Sequence, residues 1–383
     1  MVEFPGWSVT VVVLEWPFER GPIGLGRVAD GDCGTFLEEG KQSPDNVADR
    51  LAEFLSAART SLHVAIYDCR LSDGPSGAVV QALEARAAAG VEVRIVYDAG
   101  KPSNPAALGA DPAPPGTAAF MKRIAGKVQS KAVTGGHLHE PRLMHHKYIV
   151  RDANAPAGAV WTGSSNFTDD SWALQENNIV CIDSPELCSY YEKDFGELWT
   201  RGDIDSTGAR DRGTVQVGEA TVSVTFAPGD GPAIDHEIAH QISATRRRLR
   251  ICSMLITSGG ILGALGDALH RGQVAEYGGI YDRTQMESVF DQWRGSPVEW
   301  KIGAFRQVAG GLAGKRSTPY TPGGRHNFMH NKVLVCDDTV ITGSYNLSHS
   351  AEENAENMLI IDNRDLAERY NDYINLLVKR YRA

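Results

Sequence analysis

The chain has 383 residues and a formal net charge of −10. It is long enough to bury a large core, as one two-lobed body or two domains, and too acidic to hold nucleic acid by overall charge. It has no run of about 18 apolar residues that would predict a membrane span. The opening Met1-Val2-Glu3-Phe4-Pro5 lacks the basic and apolar segments of a signal peptide. Cys33, Cys69, Cys181, Cys188, Cys252 and Cys336 show no metal-ligand spacing, as expected of free thiols in a reducing cytoplasm.

In chain order, residues 9–14 read as a short strand. Ser43-Pro44-Asp45 opens a helix through Ala58, with Leu51, Phe54, Leu55 and Ala58 on one face. Residues 62–67 form a strand, 77–89 a helix and 91–97 a second strand. That β-α-β rhythm predicts helices packed on a mixed, largely parallel sheet, an α/β fold. Residues 99–140, rich in Pro, Gly, Ala and Lys, read as a long excursion over the sheet edge. Strands follow at 144–150, 159–162 and 178–182, then a helix at 185–200. Beyond a polar linker at 201–213 the series repeats: helix 234–246, strand 249–255, helix 261–271, a strand ending in Tyr281-Asp282, an excursion at 283–325, strand 329–335 and a last helix at 364–381. Arg246-Arg247-Arg248 closes a helix, where cations complement the dipole.

The repeat carries a motif. His145-His146-Lys147 is followed by Asp152 and then Gly163-Ser164-Ser165-Asn166. His330-Asn331-Lys332 is followed by Asp337 and then Gly343-Ser344-Tyr345-Asn346. For a chain with 11 His, roughly 0.02 chance matches to His-x-Lys-x4-Asp are expected, so two are not coincidence. Each asparagine is followed ten positions later by a glutamate, Glu176 and Glu356. Tyr97-Asp98 likewise matches Tyr281-Asp282. A repeat this long predicts two structural halves of one unit, divided as residues 1–205 and 206–383, each with one motif.

These residue types suit cleavage of a phosphodiester, which requires cations around the phosphate, a nucleophile and a proton donor for the leaving oxygen. Lys147 and Lys332 supply fixed charge. Asn166 and Asn346 offer amides to the non-bridging oxygens. One neutral histidine attacks phosphorus and the other, protonated, gives its proton to the leaving group. Glu176 and Glu356 can each accept a bond from a ring nitrogen, and Ser164 and Ser344 can support that network. Asp152 and Asp337 lie at an odd offset from the lysine, on the other strand face, and read as structural. His146 alternates away from His145 and reads as packing. No metal or cofactor is required.

The doubled motif resembles the phospholipase D superfamily, over roughly residues 40–380. The resemblance implies a phospholipase D-like fold of two pseudo-twofold-related lobes, with both motifs meeting in one cleft that a single chain completes. It implies one nucleophilic histidine (His145) and one acidic histidine (His330), phosphate held by the lysines and asparagines, and downstream acidic residues orienting the rings. The family usually has six residues between Asp and Gly-Ser. Here there are ten in the first copy and five in the second.

The flanks Gly163-Ser164-Ser165-Asn166-Phe167-Thr168 and Gly343-Ser344-Tyr345-Asn346-Leu347-Ser348 resemble the superfamily's bacterial nuclease-like branch, which implies DNA or RNA as substrate. Lys122, Arg123, Lys127 and Lys131 in the first excursion, Arg142 just beyond it, and Lys301, Arg306, Lys315, Arg316 and Arg325 in the second are candidates to follow a nucleic-acid backbone. His137, His139, Trp300, Phe305, Tyr320 and His326 are candidates to stack on bases. Phospholipid hydrolysis or phosphatidyl transfer is the alternative. A non-catalytic nucleic-acid-binding scaffold is the third reading.

Overall fold

The computed structural model describes residues 9–14, 34–36, 43–100, 116–135 and 142–382. The first half contains β1 (Val9–Leu14), β2 (Gly34–Phe36), α1 (Pro44–Ser56), β3 (Ser61–Ile66), β4 (Cys69–Arg70), α2 (Asp73–Ala88), β5 (Glu92–Asp98), α3 (Thr117–Ile124), β6 (Gln129–Val133), β7 (Lys147–Arg151), β8 (Ala159–Gly163), β9 (Phe167–Thr168), α4 (Asp169–Ala173), β10 (Asn177–Asp183) and α5 (Pro185–Arg201). The second contains β11 (Gly213–Val217), β12 (Ala220–Ala227), α6 (Gly231–Ala244), β13 (Arg248–Ser253), α7 (Gly259–His270), β14 (Glu276–Asp282), α8 (Arg283–Trp293), α9 (Trp300–Ala309), β15 (Leu312–Lys315), β16 (Lys332–Cys336), β17 (Thr339–Gly343), a 3-10 turn at His349–Glu352, β18 (Glu356–Asp362) and α10 (Arg364–Tyr381).

The helix starts have local causes. Ser43 accepts from the Asn46 N–H at 3.2 Å with Pro44 just behind it, and Ser184 does the same for α5 ahead of Pro185. α1 turns Val47, Ala48, Leu51 and Leu55 into the core, the valine and leucine side chains each worth about 1.5–3 kcal/mol when fully buried.

Two eight-stranded sheets form, ordered β2-β1-β10-β8-β7-β3-β5-β6 and β11-β12-β18-β17-β16-β13-β14-β15. The sheets are mixed, as expected, but not largely parallel. In the second sheet only β13–β14 and β14–β15 run parallel, and every other neighbouring pair is antiparallel. The β-α-β rhythm read from sequence describes β3-α2-β5 and its repeat β13-α7-β14, and the helices α3 and α8–α9 carry the chain on to the parallel edge strands β6 and β15. The motif strands join by short hairpins, which force antiparallel pairing.

The excursions hold regular structure the composition did not reveal. Residues 116–135 supply α3 and β6, and 283–325 supplies α8, α9 and β15. The hairpin β11–β12 was also missed. His137 and His139 lie outside the described residues.

The two sheets share one core. Val150, Val180 and Tyr191 of the first half pack in a single cluster with Phe226, Val333, Leu359 and Tyr370 of the second. Polar contacts across this seam are reciprocal. Thr162 donates to Asn357 at 2.9 Å, while Asn178 donates to Thr342 at 2.7 Å. Tyr191 bonds Asn357 at 3.2 Å, while Asn178 bonds Tyr370 at 2.8 Å. Residue pairs that exchange places across a seam are the mark of a twofold relation.

Candidate active site

Each motif histidine is set by three backbone contacts repeated in the two halves. Asp98 Oδ2 accepts from the Met144 N–H at 2.7 Å, and Asp282 Oδ2 accepts from the Met329 N–H at 2.9 Å. The His145 N–H donates to Ala355 O at 2.9 Å, and the His330 N–H donates to Glu176 O at 2.9 Å. The next carbonyl, of His146 or Asn331, accepts from Tyr67 or Met254. The repeated Tyr-Asp pair therefore has a use not read from sequence: its aspartate fixes the residue before the histidine. Each histidine is clamped by the opposite half, so the site exists only when the halves are docked.

The lysines fold back identically. Lys147 Nζ donates to His145 O at 2.5 Å and Lys332 Nζ to His330 O at 2.6 Å. All four side chains are buried and sense one another. Burial lowers the proton affinity of His145, and Lys147 and Lys332 lower it further. Burial also lowers His330, as do Lys332, Lys147 and His145. Burial and Lys147 depress Lys332, and Lys147 falls to about 7 through burial, opposed by Glu356, Asp68 and Asp98. An entering phosphodiester anion favours the protonated lysines and reverses these shifts. The side chains of Asn166 and Asn346 make no hydrogen bond among the described residues, and both amide oxygens are buried.

The motif glycines are required by close approach. A Cβ on Gly163 (φ 140°) would lie 2.2 Å from Asn178 O, and one on Gly343 (φ 136°) 2.3 Å from Asn357 O. The serines that follow brace the same strands: Ser164 Oγ accepts from the Asn178 N–H and Ser344 Oγ from the Asn357 N–H, both at 3.0 Å.

Asp152 and Asp337 stand apart from the centre. Asp152 (φ 53°) accepts from the N–H groups of Arg59, Thr60 and Ser61, and Asp337 (φ 55°) from those of Arg246, Arg247 and Arg248. Each anchors the loop that enters the strand beside the motif strand. His146 is also off the centre, buried against Asp194 and Asn357.

The glutamates correct the sequence reading. Glu356 meets His145 across the seam, its carboxylate oxygens 2.8 and 2.9 Å from Nδ1. Burial pushes Glu356 up to about 8, against Lys147, Ser344 and Lys332. Glu176 meets no ring nitrogen. Its carboxylate turns away to Lys315 Nζ and the Tyr381 hydroxyl. Behind His330 stands Asn177, whose Oδ1 is 2.9 Å from Nδ1. The reason is register. Gly163 pairs with Ile179 but Gly343 with Met358, so Asn177 is the structural equal of Glu356, and Glu176 of Ala355. Eleven positions separate Asn166 from Asn177, whereas ten separate Asn346 from Glu356. The first half places α4 where the second has a 3-10 turn. Equal spacing to a glutamate was a misleading signal.

The cations expected to bind substrate are mostly committed elsewhere. Lys127 pairs with Glu84 on the outer face of α2. Lys131 donates to Trp199 O at 2.6 Å and Thr200 O at 3.3 Å, capping α5. Arg123 donates to Ser76, Arg142 pairs with Glu353 across the seam, and Lys315 is buried on Glu176. Phe305 is buried against Tyr281 and Phe290. Lys122, Arg316 and Arg325 remain exposed.

Two features near the centre add to the sequence reading: Tyr67 beside His145, and Phe328 stacked with the candidate base-stacking residues Tyr320 and His326. The Tyr67 ring lies 4.9 Å from that of His145, with Lys147 Nζ 5.1 Å from its centroid. Tyr320, His326 and Phe328 form a pile of rings, 5.4 and 4.6 Å apart at 15°. Phe328 stands two residues before His330, and Tyr320, 65% exposed, ends the pile in solvent.

With this geometry in hand, comparison decides the family. The family described as "Cardiolipin synthase, PLD-like domain" matches residues 51–199 and again 238–378. The chain belongs to the phospholipase D superfamily. It is 29% identical to a phospholipase D of Rickettsia bellii over 157 residues, 40% of this chain and 68% of that protein. It is 32% identical to a mitochondrial cardiolipin hydrolase of Xenopus laevis over 78 residues, 20% of this chain. The match spans about a third (35%) of the hydrolase's length. A phosphatidylserine synthase of Haemophilus influenzae shares the fold, with a TM-score of 0.63 at 12% identity over 89% of this chain and 85% of that one.

Proposed function

We propose that the chain hydrolyses phosphodiesters through a covalent phosphohistidine, with His145 as nucleophile and His330 as proton donor and acceptor. The observation that carries this reading is the carboxylate of Glu356 on His145 Nδ1. A proton held at Nδ1 leaves the Nε2 lone pair free, and the carboxylate stabilises the positive charge the ring acquires on attack. His145 Nε2 bonds to phosphorus as the bond to the leaving oxygen breaks. That oxygen keeps the electron pair and takes a proton from His330 Nε2. Water then attacks phosphorus, giving a proton to His330 Nε2, and the P–N bond breaks back onto His145. Lys147 and Lys332, with the Asn166 and Asn346 amides, hold the phosphate oxygens. The charge a metal would supply is already present in these groups.

Within that chemistry we favour a nucleic-acid strand as substrate. The ring pile runs from Phe328, two residues before His330, to the exposed face of Tyr320, and base stacking on such a face is worth about 1–3 kcal/mol. Exposed Arg316 and Arg325 flank it in sequence. The phospholipid reading is supported by two findings: Lys127, Lys131, Arg142 and Lys315 of the loops are held by carboxylates or backbone carbonyls, and the relatives are named for lipid substrates. Among the described residues the cysteines Cys69, Cys181, Cys188, Cys252 and Cys336 are free thiols, which fits a reducing compartment such as the cytoplasm.

The deciding experiment offers labelled single-stranded oligonucleotide and, separately, cardiolipin or phosphatidylcholine vesicles to the protein in excess EDTA. Oligonucleotide cleavage with phosphate trapped on an imidazole is expected. Lipid turnover with the oligonucleotide untouched overturns the substrate assignment, and label on serine overturns the mechanism.

A further inference from the structure

The two imidazoles are backed by different chemistry. In the first half a carboxylate receives Nδ1 of His145, whereas at the matching position of the second half an amide receives Nδ1 of His330. The amide's orientation is fixed by its other bonds. Asn177 Nδ2 donates to Ser171 O at 3.1 Å and faces Gln175 Oε1 at 3.4 Å, while Oδ1 accepts from Ser164 Oγ at 2.8 Å. Oδ1 therefore faces the ring, and an acceptor there obliges His330 to carry its hydrogen on Nδ1. Nε2 is left as the atom that gains and loses a proton.

The remaining groups around His330 add no negative charge. Lys332, Lys147 and His145 face it and oppose a second positive charge. The Glu176 carboxylate, one residue before Asn177, is turned to Lys315 and Tyr381. Asp282 is engaged by the Met329 N–H and Ser317. The nearest carboxylate of the centre, Glu356, lies on the other ring.

We propose that Asn177 is the positioning residue of His330: an amide where the other half has a carboxylate, it fixes the Nδ1–H tautomer while keeping the ring a ready proton donor. This rests on the hydrolytic reading above and adds to it the cause of the division of labour. A carboxylate in place of Asn177 would fix the same tautomer but hold the proton more tightly, slowing its transfer to the leaving oxygen. Asn177 touches no reacting atom in this scheme, so its effect falls on kcat and on pH dependence, not on KM.

The test compares wild type with Asn177→Asp and Asn177→Ala on two phosphodiesters, one with an alkyl leaving group and one with p-nitrophenolate, which departs without a proton. Asn177→Asp is expected to move the alkaline limb of kcat for the alkyl ester upward by about one pH unit. Asn177→Ala is expected to lower kcat for the alkyl ester about 10²-fold, with KM and the first-turnover release of p-nitrophenolate close to wild type. Equal losses on both esters with an unmoved limb would assign Asn177 a merely structural role and overturn the proposal. A second measurement needs no turnover: 15N NMR of His330 with inorganic phosphate present. Wild type and Asn177→Asp should show the Nδ1–H form when neutral, and Asn177→Ala a mixture. An Nε2–H form in wild type refutes the proposal even if activity is absent, whereas failure to hydrolyse either ester with the Nδ1–H form intact counts against the hydrolytic reading alone.

Discussion

In the first half His145 leans on a carboxylate, and in the second His330 leans on an amide. Everything beneath the rings is otherwise alike: the aspartate before each histidine, the carbonyl from the opposite half, the lysine folded onto its own motif. The shared parts are those that set position. The differing parts, Glu356 against Asn177 and Tyr67 against Met254, are those that set proton affinity and local charge. On the proposed mechanism, a repeat that places two rings at one phosphorus keeps its backbone contacts, while two rings with opposite duties require unequal surroundings.

The largest expected effect separates those duties. His145→Ala should lower turnover by at least about 10⁴-fold on any phosphodiester. His330→Ala should match that loss with an alkyl leaving group but release the first equivalent of p-nitrophenolate at a rate close to wild type, before water attack without its base slows later turnovers. Equal losses on both esters would erase the proposed contrast between the rings.

A second contrast lies beside the rings. Lys315 and Glu176 are buried as a pair in the second half's clamp, where the first half has Val133 and Ala355 at the matching positions. Lys315→Met alone leaves a buried carboxylate unpaired and should cost about 3–5 kcal/mol in urea unfolding. The double variant Glu176→Ala with Lys315→Val copies the first half and should recover most of that. A double variant as unstable as the single one would show that the pair does more than fill its place.

The ring pile belongs to the second half's excursion. Tyr320→Ala should weaken oligonucleotide binding by about 1–3 kcal/mol while leaving a small p-nitrophenyl diester unaffected. An unchanged oligonucleotide KM would remove the main support for a nucleic-acid substrate.

The smallest contrast is between Asp152 and Asp337, which should behave alike. Burial pushes each carboxyl up, but the N–H donors of Thr60, Arg59 and Ser61, and those of Arg248, Arg246 and Arg247, outweigh it and hold both below the ordinary range. A depressed folded-state value gives stability that is complete above the unfolded-state pKa of about 3.9 and lost as pH falls through the folded value. Asp152→Asn and Asp337→Asn should each cost about 1–3 kcal/mol at neutral pH, with the gap to wild type closing below about pH 4 and the ester rates little changed. Loss of activity without loss of stability would move these residues into the centre.

What the sequence alone determined is the duplication and, through it, the family, the two-lobed α/β fold and a candidate His, Lys and Asn core. Those follow from covalent spacing within each motif, which folding cannot alter. Glycine and serine in Gly-Ser-x-Asn were legible as a pattern, though their cause, a strand passing too close for a Cβ, was not. Only the tertiary structure decided that Asn177 and not Glu176 backs His330, that Lys127, Lys131 and Lys315 are spoken for, and that Asp98 and Asp282 set the histidine backbone. Those partners lie on strands and loops brought together from distant parts of the chain. One additional residue before β10 shifts every side chain in that segment relative to its repeat, and a count along the sequence has no means of registering the slip.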